Sequence, residues 1–165
     1  MLDEISLKIL KILQDKARIP NIEVSRIIGM APSAVLERIR KLENQGYIDG
    51  YEIRLNPGRF DQSQVAFIRV RSREAPEKAP CLGDALAEIP EVQEVHFVAG
   101  EDCYLIKARV SDTAELGRLL REKIAPLAGV QSTRSMPVLA TFKETSRIPI
   151  HRMIAPDGQP GSSSQ

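Results

Sequence analysis

The residues whose types and spacing best suit a definite chemistry lie between positions 31 and 41. Ser33 and Ala34 are small, so a helix that carries them can approach base edges closely. Glu37 and Arg38 follow one turn later as further candidates for reading bases. Arg40 and Lys41, with Arg18 upstream, are suited to phosphates, which position a protein on a duplex without specifying sequence. Ala31 and Pro32, which open this stretch, and Asn21, which precedes it, complete the set that would face double-stranded DNA. Glu37 and Lys41 also form a favourable i, i+4 pair. A solvated basic face on a helical bundle would carry the same charges. The elements that position these residues distinguish the two.

A second stretch suits a small molecule. Val98, Ala99, Gly100, Glu101, Asp102, Cys103 and Tyr104 place a flexible glycine and two carboxylates between two apolar runs. Backbone amides beside Gly100 can hold a carboxylate, while Glu101 or Asp102 can hold an ammonium group. An acidic hairpin turn gives the same pattern with no ligand.

Catalysis and metal binding find little support. The histidines are His96, within an alternating run, and His151, near the tail, and neither adjoins a nucleophile motif. No Gly-rich phosphate loop occurs, and Cys81 and Cys103 lack metal-ligand spacing. They read as small buried thiols of a reducing compartment. No metal and no cofactor is expected. A net charge of +1 does not advertise nucleic-acid binding, so that reading rests on local charge. The 42% hydrophobic and 27% charged content is that of a soluble globular protein. No apolar run approaches the roughly 20 residues that span a bilayer, and the acidic start is unlike a signal peptide. The expectation is a cytoplasmic protein without membrane contact.

The elements that must position these residues follow from periodicity. Asp3 is placed to cap a first helix carrying Ile5, Ile9, Ile12 and Leu13 inward and ending near 15–17. Asn21 is expected to cap a second helix with Ile22, Val24, Ile27 and Ile28 inward. Gly29 supplies a positive φ at its end. Pro32 begins a third helix, whose buried stripe is Val35, Ile39 and Leu42. Its exposed side then holds Ser33, Ala34, Glu37, Arg38 and Lys41, with Arg40 at the boundary. This is a helix-turn-helix pattern. Residues 47–55 alternate weakly, as a short strand or wing does, and Asn56-Pro57-Gly58 breaks the chain.

Beyond the break, strands are expected at 65–71, 92–98, 104–110 and about 131–143. Helices are expected at 81–89 and 113–124, the latter capped by Asp112. The order β-α-β-β-α-β gives a four-stranded antiparallel sheet with both helices on one face. Phe67, Val98, Ile106 and Val138 would make the uncovered face apolar enough to dimerise. The fold class is thus α+β: a winged helix-turn-helix over 1–57, then a ferredoxin-like effector and dimerisation domain over 58–152. Residues 153–165 form a Pro/Gly/Ser tail that cannot offset the entropy of ordering.

On these residues the chain resembles the Lrp/AsnC, or feast/famine, transcription regulators. The likeness rests on Leu2-Asp3 opening the first helix and on Gly29-Met30-Ala31-Pro32-Ser33 leading to Leu36-Glu37-Arg38-Ile39-Arg40-Lys41-Leu42-Glu43. Gly46 to Tyr51, Leu55-Asn56-Pro57, Val98-Ala99-Gly100 through Tyr104-Leu105-Ile106-Lys107, and Gly129-Val130 into Thr133-Arg134 continue it. The resemblance implies dimers joined through the second domain and commonly assembled into octamers. It also implies an amino-acid effector bound where dimers meet, tuning assembly or DNA affinity. The pocket would involve Val98, Ala99, Gly100, Glu101, Asp102 and Tyr104, with Thr133, Ser135, Met136, Pro137 and Val138 of the last strand.

Two departures bear on ligand choice. Members often read Gly-Asp-x-Asp-Tyr in the loop, where Cys103 here takes the second Asp position. Met136 and Pro137 stand where aromatic and β-branched residues are frequent, and Pro137 removes a ladder donor, which favours a bulge or strand edge. Two other readings share the build. A sirohaem-decarboxylase-like enzyme would require residues, His among them, for a large anionic tetrapyrrole. An effector-independent architectural DNA binder would ignore every amino acid.

Overall fold

The computed structural model describes residues 2–73, 81–100 and 103–150, without the side chain of Cys103. Residues 74–80, Glu101, Asp102, His151 and the tail lie outside the described residues. The described chain divides into two compact units, residues 2–54 with 145–150, and residues 55–144. The break between the units falls at 54–55, three residues before the expected boundary, and residues 145–150 group with the helices.

The first unit is three helices: α1 (Glu4–Asp15), α2 (Asn21–Ile28) and α3 (Pro32–Asn44). Asp3 caps α1 as its position suggests, its Oδ1 accepting from Ser6 N–H at 2.8 Å. Gly29, at φ 79°, ends α2 in a left-handed turn. The amides of Gly29 and Met30 both return to Ser25 O, at 2.8 and 3.1 Å. Gly46, at φ 71°, ends α3 in the same manner, with Tyr47 N–H donating to Leu42 O at 2.9 Å. Ile9, Leu13, Val24, Val35, Ile39 and Leu42 form the core.

Three expectations for this unit fail. Asn21 does not cap α2 but is its first residue; Pro20 stands at the cap, and no side chain bonds there. Ile22 and Ile27 are exposed, because the inward stripe of so short a helix is narrow and is taken by Val24 and Ser25. The expected strand over 47–55 does not form. A strand needs a ladder partner, and none of the described strands pairs with it. Tyr51 and Ile53 consequently remain exposed.

The second unit starts with a 3-10 turn (Pro57–Phe60) and continues β1 (Gln64–Ser72), α4 (Leu82–Ala87), β2 (Val92–Val98), β3 (Cys103–Val110), α5 (Thr113–Arg118) and β4 (Val130–Pro137). α5 runs on as a π-helical turn (Leu119–Ile124), closed by Ala125 N–H to Leu120 O at 2.9 Å. Asp112 caps α5 through Glu115 N–H, as expected. The strands are antiparallel in the order β2-β3-β1-β4. Ala66, Ile68, Val70, Ile106 and Ala108 pack beneath Leu82, Leu86, Leu116, Leu119 and Ile124, so both helices cover one face.

Ile106 belongs to that covered face, not to the open one. It sits opposite Ile68 and Val95, and the two-residue period of a strand puts Leu105 and Lys107 on the other side. β4 ends at Pro137 rather than near 143, and Val138 N–H makes one further bond to Val65 O at 2.8 Å before the chain departs. The last strand is nonetheless a sheet edge, as the proline suggests.

Candidate nucleic-acid face and effector loop

Helix geometry decides what α3 offers. Val35, Ile39 and Leu42 are buried, and the direction opposite that stripe is occupied by Ser33, Glu37, Arg40, Lys41 and Asn44, all exposed. Ala31 and Pro32 are exposed at its start, and Ala34 is half-buried. No side chain caps its N-terminus and no acidic residue lies in its first turn. The first amides of α3 therefore point outward with the positive end of the helix dipole. Arg18 is exposed in the connector before α2.

Arg38 and Arg40 exchange their expected places. At 100° per residue, Arg38 falls beside the buried stripe and Arg40 falls opposite it. Arg38 Nη1 donates to Asp3 Oδ2 at 2.6 Å and to Ser6 Oγ at 3.3 Å. Its side chain is 31% exposed. Bonds from Ser6, then the Arg38 guanidinium, pull the Asp3 carboxyl down to about 2. The arrangement ties α3 to the start of α1 at the flank of the exposed face. At the far end of α3, Tyr51 Oη donates to Glu43 Oε1 at 2.9 Å. Burial, then this carboxylate, pushes the Tyr51 phenol up to about 12.

In the sheet unit, Gly100 has φ 121°, a conformation that L side chains rarely adopt. Val98 is half-buried, and Ala99 and Gly100 are exposed. Tyr104 is 3% exposed. Its ring meets Phe97 edge-on at 5.2 Å, and a Cβ added at Gly83 would lie 2.9 Å from it. Tyr104 therefore packs beneath the helices instead of standing in the loop.

The strand residues of the candidate pocket are divided by the sheet. Thr133 lies opposite Val70, which in turn pairs with Tyr104, so β1 stands between β4 and the loop strand. Ser135 shares the half-buried face with Thr133, whereas Met136, opposite Phe67, is on the open face. Pro137 is exposed at the end of the strand. One chain does not gather these residues into a single pocket.

What the open face does hold was not foreseen. After Val138 the chain crosses this face as far as Glu144, enclosing a cleft of about 300 Å³ lined by Val65, Phe67, Lys107, Val138, Phe142 and Glu144, among others. Glu144 bonds the ammonium of Lys107 and, at 2.9 Å, Arg109 Nη2. Lys107 also reaches Glu94 at 3.0 Å. The contact with Lys107, more than that with Arg109, holds the Glu144 carboxyl below its ordinary range. Alternating charge at Lys107 and Arg109 was the available signal, since both fall on one strand face. Nothing in the sequence placed Glu144 opposite them. Among the described residues no cluster of His, Cys, Asp or Glu could hold a metal ion, and no helix is long and apolar enough to cross a membrane.

Comparison with known proteins agrees with this architecture. Residues 2–49 match the family model for a winged helix-turn-helix DNA-binding domain, and residues 65–148 match that for the Lrp/AsnC ligand binding domain. Leucine-responsive regulatory proteins of Klebsiella pneumoniae and Escherichia coli K12 are each 39% identical over 150 residues, covering 90% of this chain and 92% of theirs. A Neisseria meningitidis transcriptional regulator solved as its L-Met complex superposes with a TM-score of 0.85 at 31% identity, over 91% of this chain and 97% of its own. A feast or famine regulatory protein from M. tuberculosis, complexed with L-methionine, gives 0.80 at 31%, over 90% and 99%.

Proposed function

Because the chain belongs to the Lrp/AsnC family of transcription regulators, we propose that it binds specific DNA sites as a cytoplasmic dimer or higher assembly whose affinity or assembly responds to an amino acid. The observation that carries the reading is the clear outer face of α3. Ser33, Glu37, Arg40, Lys41 and Asn44 project from a helix whose first amides have no side-chain cap. Such a helix can enter a major groove, with its N-terminus on a phosphate. Ser33 and Glu37 read bases, and Arg40, Lys41 and Arg18 meet phosphates. Arg38 acts differently from the first expectation: bound to Asp3, it positions α3.

The same reading assigns the effector to the neighbourhood of Gly100, completed by a second dimer, since one chain leaves the loop and β4 apart. Two of these relatives were solved in complex with L-methionine, which makes it the first probe. Dimerisation would cover what one chain leaves bare: Leu139 and Phe142, both 100% exposed, and Met136 at 40%. It would also offer the apolar residues Tyr51, Ile53 and Leu55 a strand partner. No arrangement of acid, base and nucleophile among the described residues favours catalysis, so the activity proposed is binding alone.

The test is selection of duplexes from a random pool by the full chain, followed by salt titration of the winner with and without each amino acid. Selection of a roughly two-fold motif, with affinity falling steeply as salt rises, supports the reading. Failure to enrich any motif would refute it.

A further inference from the structure

The chain leaves the helical unit after Arg54 and rejoins it at Thr145, so the two units are joined covalently twice. The chain on either side of the second crossing is held within its own unit. On one side, Glu144 is held by Lys107 and Arg109 within the sheet unit. On the other, Arg147 Nη1 lies 2.8 Å from Asp15 Oδ1, and its Nη2 donates to Asp15 O at 3.3 Å. The next residue is gripped twice: Ile148 N–H donates to Gln14 Oε1 at 3.0 Å, and Gln14 Nε2 donates to Ile148 O at 2.8 Å.

This docking answers a local need of α1. The last carbonyls of a helix carry partial negative charge and attract cations, yet α1 has no basic residue in its last turn. Arg147, from 132 positions away, supplies the missing cation. A glutamine amide matches the donor and acceptor of one peptide group at once, as a neighbouring strand would. The opposite end of α1 holds the DNA-facing helix through Asp3, Ser6 and Arg38. One helix thus joins the returning segment to α3.

The grip is built to open. Asp15 and Arg147 are 70% and 55% exposed, so their ion pair is screened and contributes little. Ile148 is 66% exposed, so burial does not hold it either. Its release requires no unfolding of α1.

We propose that residues 145–148 are a releasable brace on the C-terminal end of α1, which holds α1 and hence the DNA-facing helix in place. The proposal rests on the DNA reading above for its consequence, but not for the docking itself. The experiment therefore has two arms, both on the full chain.

The first arm follows amide exchange at Ile148. It should be protected in the wild type, and Gln14→Ala should accelerate it about fivefold or more while the Ile106 amide is unchanged. Free-peptide exchange in the wild type, or no response to Gln14→Ala, would overturn the docking. The second arm measures affinity for the duplex that the wild type selects. Gln14→Ala with Arg147→Ala should weaken it about threefold to tenfold at unchanged salt slope, because neither side chain is on the exposed face of α3. Unchanged affinity with an unprotected Ile148 would refute the positioning role. A protected Ile148 in a chain that selects no duplex would refute the DNA reading and uphold the docked segment.

Discussion

The two units bury their cores in different ways. The helical unit closes over six fully inward residues, Ile9 to Leu42, supplied by helices that follow one another within 44 positions. The sheet unit buries a cluster running from Ala66 to Ile124, in which β1 must find β3 and β4 across long stretches of chain. In the first, contacts are short-range and one side of α3 is left free. In the second, one sheet face is covered by helices and the other is crossed by the chain after Val138. A face that meets a rigid duplex can be made from a single helix. A pocket built from β4 and the turn after β2 would have to be assembled from distant pieces, and one chain leaves those pieces apart.

Removing core volume from one unit at a time has the largest expected effect. Leu42→Ala, at a site 2% exposed, should cost about 2–5 kcal/mol and melt the helical unit while the sheet amides stay protected. Ile106→Ala should do the reverse. Hydrogen exchange resolved by unit measures both, and a single shared transition lowered equally by either change would show that the units are not separate.

The next effect concerns the free face of α3. Arg40→Ala should weaken binding to the selected duplex by about 1–3 kcal/mol and reduce the salt slope by about one. Arg38→Ala and Asp3→Ala should each weaken it with the slope unchanged, because their bond to one another positions α3 without touching phosphate. A reduced slope for Arg38→Ala, measured by fluorescence anisotropy, would return Arg38 to the interface.

Gly29→Ala isolates backbone conformation. Nothing lies within 4 Å of the added Cβ, and φ is 79°, so the cost is that of a left-handed L residue, about 1–2 kcal/mol. It should appear as a lowered Tm for the helical unit alone.

The smallest effect is acid sensitivity. The Asp3 pKa is depressed to about 2 in the folded chain, so its contribution is complete above the ordinary value of 3.8 and disappears as pH falls through 2. Stability of the helical unit should therefore decline below pH 3.8, and Asp3→Asn should flatten that decline; an identical acid curve would count against the clamp.

Much of the fold could be read directly. Asp3, Gly29, Pro32 and Gly46 mark helix ends through local backbone chemistry, which needs no information from elsewhere in the chain. The β-α-β-β-α-β order followed from the alternation of periods 2 and 3.6. The failures are instructive in the same terms. Residues 47–55 have strand periodicity but no partner among the described strands. Ile22 and Ile27 are apolar but lie off the narrow inward stripe of a two-turn helix. Arg38 read as exposed until the rotation of α3 was fixed by what packs beneath it.

By itself, then, the sequence determined the family, the order of elements and the helix that carries an exposed polar side, because those depend on patterns within a few turns or strands. Only the tertiary structure decided that Arg38 faces Asp3, that Glu144 lies across Lys107 and Arg109, and that Ile148 returns to Gln14. Each of these joins residues 35 to 134 positions apart. Such pairings are fixed by how packed elements are oriented, a quantity that no local pattern encodes.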